Sequence, residues 1–303
     1  MGVFIMSIKI INGKLLSEQL LETQKLDFVN KYNLRRPHLV VITIGNDEAS
    51  NIYVRNKKRA CEKCDIDFEH IVFDLTVERT IVENKIMSLN NDNSIDGIIV
   101  QQPVPSQLKD IEQLIDYTKD VDGFTTYNLG GTLNNCKHIS ACTPNGIMEL
   151  FHFNDIDLCG KHVVVIGRSN IVGKPLIGML LSKNATVTSC NSYTKDLELI
   201  TGSADILITA IGKPKFIHRD YLTAKCTCII DVGINRDSNG KLCGDVDFNN
   251  ICDYWESIGD NINRYITPVP GGVGPMTVYS LIKNVNIAYS DNITKNLIGG
   301  SLK

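Results

Sequence analysis

The chain has 303 residues, long for one core and short for three, so two domains of about 150 residues each are expected. Hydrophobic residues make up 43% and charged residues 21%, the values of an ordinary folded protein, which sets disordered and fibrous classes aside. A net charge of −3 carries no basic surplus to release counterions from a phosphate backbone, and this argues against a dedicated DNA or RNA binder.

The first residues, Met1-Gly2-Val3-Phe4-Ile5-Met6, form too short an apolar run for a secretory segment and lack a basic start. Position 6 is Met where a myristoylation motif needs Ser or Thr. An apolar-periodic stretch at 14–32 precedes a β-branched run at 38–44, and a helix-like stretch follows at 49–64. The pattern continues with a strand at 69–73, a helix at 81–89 and a strand at 96–100. Such alternation means βαβ units and a mostly parallel sheet.

Weak periodicity at 120–142 separates this series from a second one. Thr143-Pro144-Asn145-Gly146 reads as a helix start, with Thr as cap and Pro in the first turn. Strands are expected at 162–166, 185–189, 206–209 and 228–231 with helices between, and a helical tail at 275–289. No run reaches the ~18 to 20 apolar residues that a membrane helix needs. The ten cysteines fall inside strand-like and helix-like stretches, which fits reduced thiols in a cytosol. Cys61-Glu62-Lys63-Cys64 has the spacing of a zinc or redox pair but no matching second pair, so it reads as two helix thiols, and Cys226-Thr227-Cys228 reads likewise. No metal-ligand cluster is expected.

The strongest local signal is Gly167-Arg168-Ser169-Asn170-Ile171-Val172-Gly173, which follows the apolar strand 162–166 and opens a helix at Gly173-Lys174-Pro175. Strand, glycine turn and helix N-terminus aim backbone N–H groups and a positive dipole end at one point, suited to a pyrophosphate. The spacing departs from G-x-G-x-x-G. After the next strand a domain selective for NAD would place Asp or Glu, and this chain has Cys190-Asn191-Ser192. With no carboxylate to repel a 2′-phosphate, and with Arg168 to pair with it, NADP is favoured. The plainer alternative makes Arg168 a solvated loop residue and Ser192 a turn residue.

On the helix at 49–64, Tyr53 and Lys57 are four apart and project from one face. Ala49, Tyr53, Ala60 and Cys64 make the apolar stripe, and Lys57 lies within it. Burial disfavours the charged form of a lysine and makes it a candidate general acid or base. Taken alone, a lysine that snorkels past the stripe to water is the simpler reading. The segment Val100-Gln101-Gln102-Pro103-Val104-Pro105 shifts that balance, because it follows a buried strand at the carboxyl end, where α/β sheets present ligand-binding groups. Asp120-Val121-Asp122-Gly123-Phe124 offers a carboxylate beside a glycine turn. The loop Thr267-Pro268-Val269-Pro270-Gly271-Gly272-Val273-Gly274-Pro275-Met276-Thr277 permits close backbone approach to a ligand, with more fixed dihedrals than a plain hinge needs.

Five ordered segments together, Ser50 to Lys57, Val100 to Pro105, Lys119 to Phe124, Gly167 to Pro175 and Thr267 to Thr277, resemble the bifunctional methylenetetrahydrofolate dehydrogenase/methenyltetrahydrofolate cyclohydrolase family over nearly the whole chain. The resemblance implies that Lys57 is the central catalytic group, with Tyr53 packing against the folate, Gln101 supporting the lysine and Asp122 anchoring the pterin ring. It further implies that Pro270 and Gly271 line the folate cleft and that Gly167, Arg168, Ser169, Ser192, Ile234 and Thr277 contact NADP. The implied chemistry is oxidation of 5,10-methylenetetrahydrofolate by NADP, then hydrolysis of the methenyl product to 10-formyltetrahydrofolate, steps of one-carbon metabolism and purine biosynthesis. Tetrahydrofolate derivatives are the implied ligands, a homodimer the implied assembly and the cytoplasm the implied setting. One departure stands out: the family commonly has Leu where this chain has Gln102.

The expected fold class is therefore α/β, with a catalytic N-terminal domain at 1–146, a Rossmann-type NADP-binding domain at 147–277, and a C-terminal helix at 278–303 that returns to the first domain. Other readings stay open: a dehydrogenase with little cyclohydrolase activity, an amino-acid or shikimate-type dehydrogenase, and an NADP-binding regulatory module. The paired prolines after Gln101 and the Pro-Gly-Gly-Val-Gly-Pro loop argue against the second of these.

Overall fold

Short β-branched runs and longer helical periods produce two parallel sheets in the computed structural model, which describes residues 8–31, 35–136 and 139–300. The N-terminal reading over residues 1–6 lies outside these residues. In chain order the elements are β1 (Ile8–Ile10), α1 (Gly13–Lys31), β2 (His38–Ile44), α2 (Glu48–Lys63), β3 (Asp67–Phe73), α3 (Arg79–Asn91), β4 (Gly97–Val100), α4 (Thr126–Leu133) and α5 (Cys142–Phe153). They continue with β5 (His162–Ile166), α6 (Gly173–Leu181), β6 (Thr186–Cys190), α7 (Leu197–Gly202), β7 (Ile206–Thr209) and β8 (Cys228–Asp231). The last are β9 (Asn235–Arg236), β10 (Leu242–Cys243), α8 (Phe248–Ile258), β11 (Arg264–Ile266) and α9 (Val273–Gly300).

The chain divides into two compact units. One comprises residues 17–142 and 278–303 and holds a three-stranded parallel sheet in the order β3-β2-β4. Strand β2 is buried along nearly its whole length, which is why its sequence reads as a continuous apolar run rather than an alternating one. Val40, Ile42, Ile98 and Val100 pack with Val82, Ile86 and Leu89 of α3. At the start of α2, the Asp47 carboxylate accepts from the Ser50 N–H at 2.7 Å, satisfying one orphan donor of the first turn.

The other unit comprises residues 1–16 and 143–277. Its six strands run in the order β1-β11-β8-β7-β5-β6, and every pairing between them is parallel. Strands β5, β7 and β8 are central and buried, and the core includes Val164, Ile166, Leu207, Ile229 and Trp255.

The division differs from the expected one at the N-terminus. Residues 8–16 group with the nucleotide-type sheet because Ile8, Lys9 and Ile10 pair in parallel with Arg264, Tyr265 and Ile266. A second difference falls in the weakly periodic stretch, where Thr125 caps the eight-residue helix α4 by accepting from Asn128 N–H at 3.4 Å. Its two glycines and its length of little more than two turns give no helical period to read.

Candidate active site

Helix α2 brings Lys57 to the buried side of its unit. The buried positions on this helix are Ser50, Val54, Lys57, Ala60, Cys61 and Cys64, a run spaced mostly by three and four. This stripe is centred one position away from the one expected from the sequence, so Tyr53 lies on its edge and is 42% exposed. The Ala49 side chain, also assigned to the stripe, lies outside the described ones. Lys57 is only 8% exposed, and its Nζ donates to Gln101 Oε1 at 3.0 Å. Asp122 Oδ2 lies 3.8 Å from the same Nζ, a carboxylate that offsets the desolvation of the ammonium.

Gln101 is held from both ends. Its backbone N–H donates to Ile42 O at 2.8 Å, which extends the β4–β2 pairing one step past the strand. Its Nε2 donates to Gln102 O at 3.0 Å, so the amide presents its oxygen to Lys57. The same Gln102 carbonyl accepts from Ser50 Oγ at 3.3 Å, tying α2 to the loop that carries Gln101. The Gln102–Pro103 peptide is cis. The Gln102 side chain is half-buried and none of these contacts passes through it.

Asp122 sits in a loop whose shape comes from its neighbour. The buried Asp120 carboxylate accepts from the N–H groups of Gly123, Phe124 and Thr125 at 3.0, 3.2 and 2.8 Å, and from Asn128 Nδ2 at 2.9 Å. Of two carboxylates in the motif, one therefore shapes the turn and the other points to Lys57. Gly123 has φ of +74°, and a Cβ there would lie 2.6 Å from Ala141 N, so both conformation and space require glycine. Burial pushes Asp122 above the usual carboxylate range, and Lys57 pulls it back. Asn284 of α9 donates to Val121 O at 2.9 Å and to Ser140 O at 2.8 Å, backing the loop from behind. Sequence reasoning missed Asp120, Ser50 and Asn284 as supports, because each acts through a partner distant in sequence or through the backbone.

The phosphate-type loop belongs to the other unit. Gly167 leaves β5 with φ of +125°, and any Cβ there would run into the Ala210 carbonyl oxygen. Gly173 opens α6 so close to Gly167 that its own Cβ would meet the Gly167 carbonyl. Both glycines are thus fixed by sterics, whatever the departure from G-x-G-x-x-G. Ser169 Oγ accepts from Val172 N–H at 3.2 Å, and Ser169 O accepts from Lys174 N–H at 3.0 Å, which folds the loop onto the helix start.

Arg168 is exposed, with its guanidinium 5.9 Å from the ring centroid of Tyr193. Ser192 is exposed beside it in the turn after β6, where Asn191 N–H donates to Thr194 Oγ1 at 2.9 Å. Strands β5 and β6 are neighbours, so Gly167, Arg168, Ser169 and Ser192 gather at adjacent strand ends. Ile234, 52% exposed, has its Cδ1 about 4.0 Å from where a Gly274 Cβ would stand, at the start of α9. Thr277 Oγ1 lies 3.0 Å from Thr143 Oγ1. Pro270 follows a cis peptide and is exposed, and Gly271, with φ of +104°, accepts from Lys14 N–H through its carbonyl at 2.9 Å.

One cysteine joins the site: Cys142 Sγ donates to Val121 O at 3.3 Å, and its thiol also bonds to Asp122. Cys61 and Cys64 are buried on α2, where burial pushes their thiols up to about 12 and about 11. Cys226 is likewise pushed up to about 12. Among the described residues no group of three or more His, Cys, Asp or Glu is placed to hold a metal ion, and no helix is long and apolar enough to cross a membrane.

Comparison with known proteins agrees with this arrangement along the chain. Residues 11–122 match the tetrahydrofolate dehydrogenase/cyclohydrolase catalytic domain, and residues 141–293 match the NAD(P)-binding domain of the same family. The bifunctional protein FolD of Dechloromonas aromatica (strain RCB) is 45% identical over 283 residues, 92% of this chain and 96% of that protein. The bifunctional enzyme FolD-methylenetetrahydrofolate dehydrogenase/cyclohydrolase of Campylobacter jejuni superposes with a TM-score of 0.87 at 38% identity, covering 94% of this chain and 99% of that one. A Trypanosoma brucei methylenetetrahydrofolate dehydrogenase-cyclohydrolase solved with NADP and an inhibitor gives a TM-score of 0.85 at 29% identity, over 95% and 99% of the two chains. With both of its domains matched and a relative this similar over nearly the full length, the chain belongs to the tetrahydrofolate dehydrogenase/cyclohydrolase family.

Proposed function

We propose that this enzyme oxidises 5,10-methylenetetrahydrofolate with NADP and hydrolyses the resulting 5,10-methenyl compound to 10-formyltetrahydrofolate. The observation that carries the reading is the buried Lys57 ammonium, 3.0 Å from Gln101 Oε1 and 3.8 Å from Asp122 Oδ2, assembled from three separate segments. Tyr53, exposed one turn before Lys57 on α2, offers a ring face for the flat pterin and aryl groups of a folate. Asp122 in its ionised form accepts two hydrogen bonds from a pterin ring N–H and amino group.

In the nucleotide-type unit, Gly167 and Gly173 let β5 turn tightly into the N-terminus of α6, and the positive end of that helix supports a pyrophosphate there. Arg168 near Tyr193, in a turn without a carboxylate that also carries Ser192, supports a 2′-phosphate. Ile234 and Thr277 are the remaining proposed contacts. Bound NADP would supply the acceptor for a hydride from the methylene carbon. For that step the protein's task is orientation. In the hydrolytic step water adds to the methenyl carbon, one C–N bond of the ring opens, and one proton is released overall. In this reading Lys57 moves protons between that water and the departing nitrogen, and its hydrogen bond to Gln101 supports that role.

A homodimer and a cytoplasmic setting belong to the same proposal; ten free cysteines support a reducing compartment. The deciding experiment mixes 5,10-methylenetetrahydrofolate with NADP and then with NAD, and follows the absorbance of the methenyl product and its decay. Turnover is expected with NADP in preference to NAD, followed by decay to the 10-formyl compound. Preference for NAD would overturn the Arg168 argument. Tight NADP binding with no absorbance change would replace the enzyme reading with that of a binding module.

A further inference from the structure

Two buried carboxylates in the nucleotide-type unit play no part in the reading above. Asp231 ends β8 and is 3% exposed, while Asp245 follows β10 and is fully buried. Asp231 Oδ1 accepts from the backbone N–H of Gly233 at 2.9 Å and of Asp245 at 3.0 Å, and its Oδ2 accepts from Val246 N–H at 2.9 Å. Asp245 Oδ1 accepts from Lys213 N–H and from Asn235 Nδ2, both at 2.9 Å. Its Oδ2 accepts from Ile211 N–H at 2.8 Å and from Thr209 Oγ1 at 3.1 Å.

The pattern is directional. Asp231 fastens the end of β8 to residues 244–246, and its own N–H donates to Thr267 Oγ1 at 2.7 Å, which adds the end of β11. Asp245 fastens that segment in turn to residues 209–213 after β7 and to Asn235. Almost every group facing the two side chains is a donor, which suits a carboxylate and no amide. Burial pushes Asp231 up to about 7, and its backbone N–H donors oppose that shift. The fit is also tight: a Cβ on Gly244 would run into Asp231 Oδ2, and one on Gly233 into the Asp245 carboxyl.

Sheet order says what these tied loops are for. If the pyrophosphate lies over the β5–α6 turn and the 2′-phosphate lies at the β6 side, the other half of the dinucleotide extends over β7 and β8. Those strand ends display Gly212 and Ile234, both exposed, between points fixed by Asp231 and Asp245. We infer that Asp231 and Asp245 are positioning residues for the cofactor, holding the Ile211 to Lys213 and Gly233 to Asn235 segments as a preformed shelf for its nicotinamide half. This rests on the proposed NADP reading.

The test uses the full chain carrying Asp245→Asn, with three readouts: the KM for NADP, inhibition by 2′,5′-ADP, and hydrolysis of the methenyl substrate, which uses no NADP. The amide sets a donor against donors, and the expected rise in the KM for NADP is about ten-fold. The inhibition constant of 2′,5′-ADP, which carries only the adenine half, stays at the wild-type value, and methenyl hydrolysis reports that the chain is folded. An unchanged KM, or equal loss of NADP and 2′,5′-ADP affinity, overturns the inference. If Asp245→Asn does not fold, Asn235→Ala decides, since it removes one donor from a half-buried position: a several-fold higher KM for NADP with unchanged 2′,5′-ADP inhibition supports the shelf, and an unchanged KM overturns it. A wild-type chain that neither binds 2′,5′-ADP nor turns over NADP sinks the underlying reading instead.

Discussion

Lys57 is 8% exposed and has a carbonyl-type acceptor and a carboxylate within reach. Replacing it by Met keeps the volume and removes the proton donor, so Lys57→Met should cut methenyl hydrolysis by about 10² to 10⁴-fold, the usual worth of a placed acid or base. Hydrolysis at the wild-type rate would remove Lys57 from its proposed role. The same pair makes a prediction in pH. Asp122 is raised by burial and drawn back by Lys57, so its ionised form is lost at a higher pH than for an ordinary carboxylate. Folate KM should therefore rise as pH falls, beginning at a higher pH than an ordinary carboxylate would give, and Lys57→Met should move that rise to higher pH still; a flat profile in both proteins would detach Asp122 from the pterin. The linkage sign for stability is opposite to that for binding. A carboxyl whose folded value is raised contributes stability below its unfolded value and loses it as pH climbs through the folded one. At this scale the burial of Lys57 was legible because it falls within an apolar stripe, and the position of Gln101 because it follows a buried strand; their roles came only from the family resemblance. Tyr53 was placed one step too deep, since a single helical wheel does not say where the buried stripe is centred.

Elements were legible in proportion to their length. Strands β2, β5 and β7 carry four or more β-branched or apolar residues in a row, β8 carries three ahead of Asp231, and all four were read with their bounds. Strands β1, β9, β10 and β11 have two or three residues each, too few for any period, and only their partners define them. Strand β11 also hides a fully buried charge: Arg264 lies over Trp255, 5.9 Å from the ring centroid, and donates to Asp260, with Nη2 to Oδ2 at 2.7 Å. The arginine holds Asp260 below the usual carboxylate range. Stability from this pair is thus present above the unfolded carboxyl value and lost as pH falls through the lowered one. Asp260→Asn deprives a buried guanidinium of its carboxylate, whereas Arg264→Met replaces the charge with an apolar chain of similar length and leaves Asp260 partly in water. The expected order is a larger fall in the urea midpoint for Asp260→Asn than for Arg264→Met, at unchanged slope. The reverse order would show that packing on Trp255, and not the charge, keeps Arg264 in the core.

At the scale of the whole molecule, length suggested two domains, and the alternating series gave their α/β class. What they did not reveal was that the first strand belongs with the second series, because the parallel pairing of Ile8 with Arg264 joins residues about as far apart as the chain allows. Nothing local in Ile8-Lys9-Ile10 names that partner. The assignment has a measurable consequence. NADP at about a hundred times its dissociation constant should stabilise the unit that binds it by about 2.7 kcal/mol. Amides that exchange only when that unit opens should slow by the corresponding factor of about 100, and those of the other unit should not. Hydrogen exchange with and without NADP therefore sorts β1 by the company it keeps. Protection at Lys9 and Ile10 rising together with Ile229 and Ile230 of β8, while Val40 and Val41 of β2 stay unchanged, fits membership in the nucleotide sheet. If the β1 amides followed Val40 and Val41 instead, the pairing with β11 would be too weak to hold the strand in that sheet.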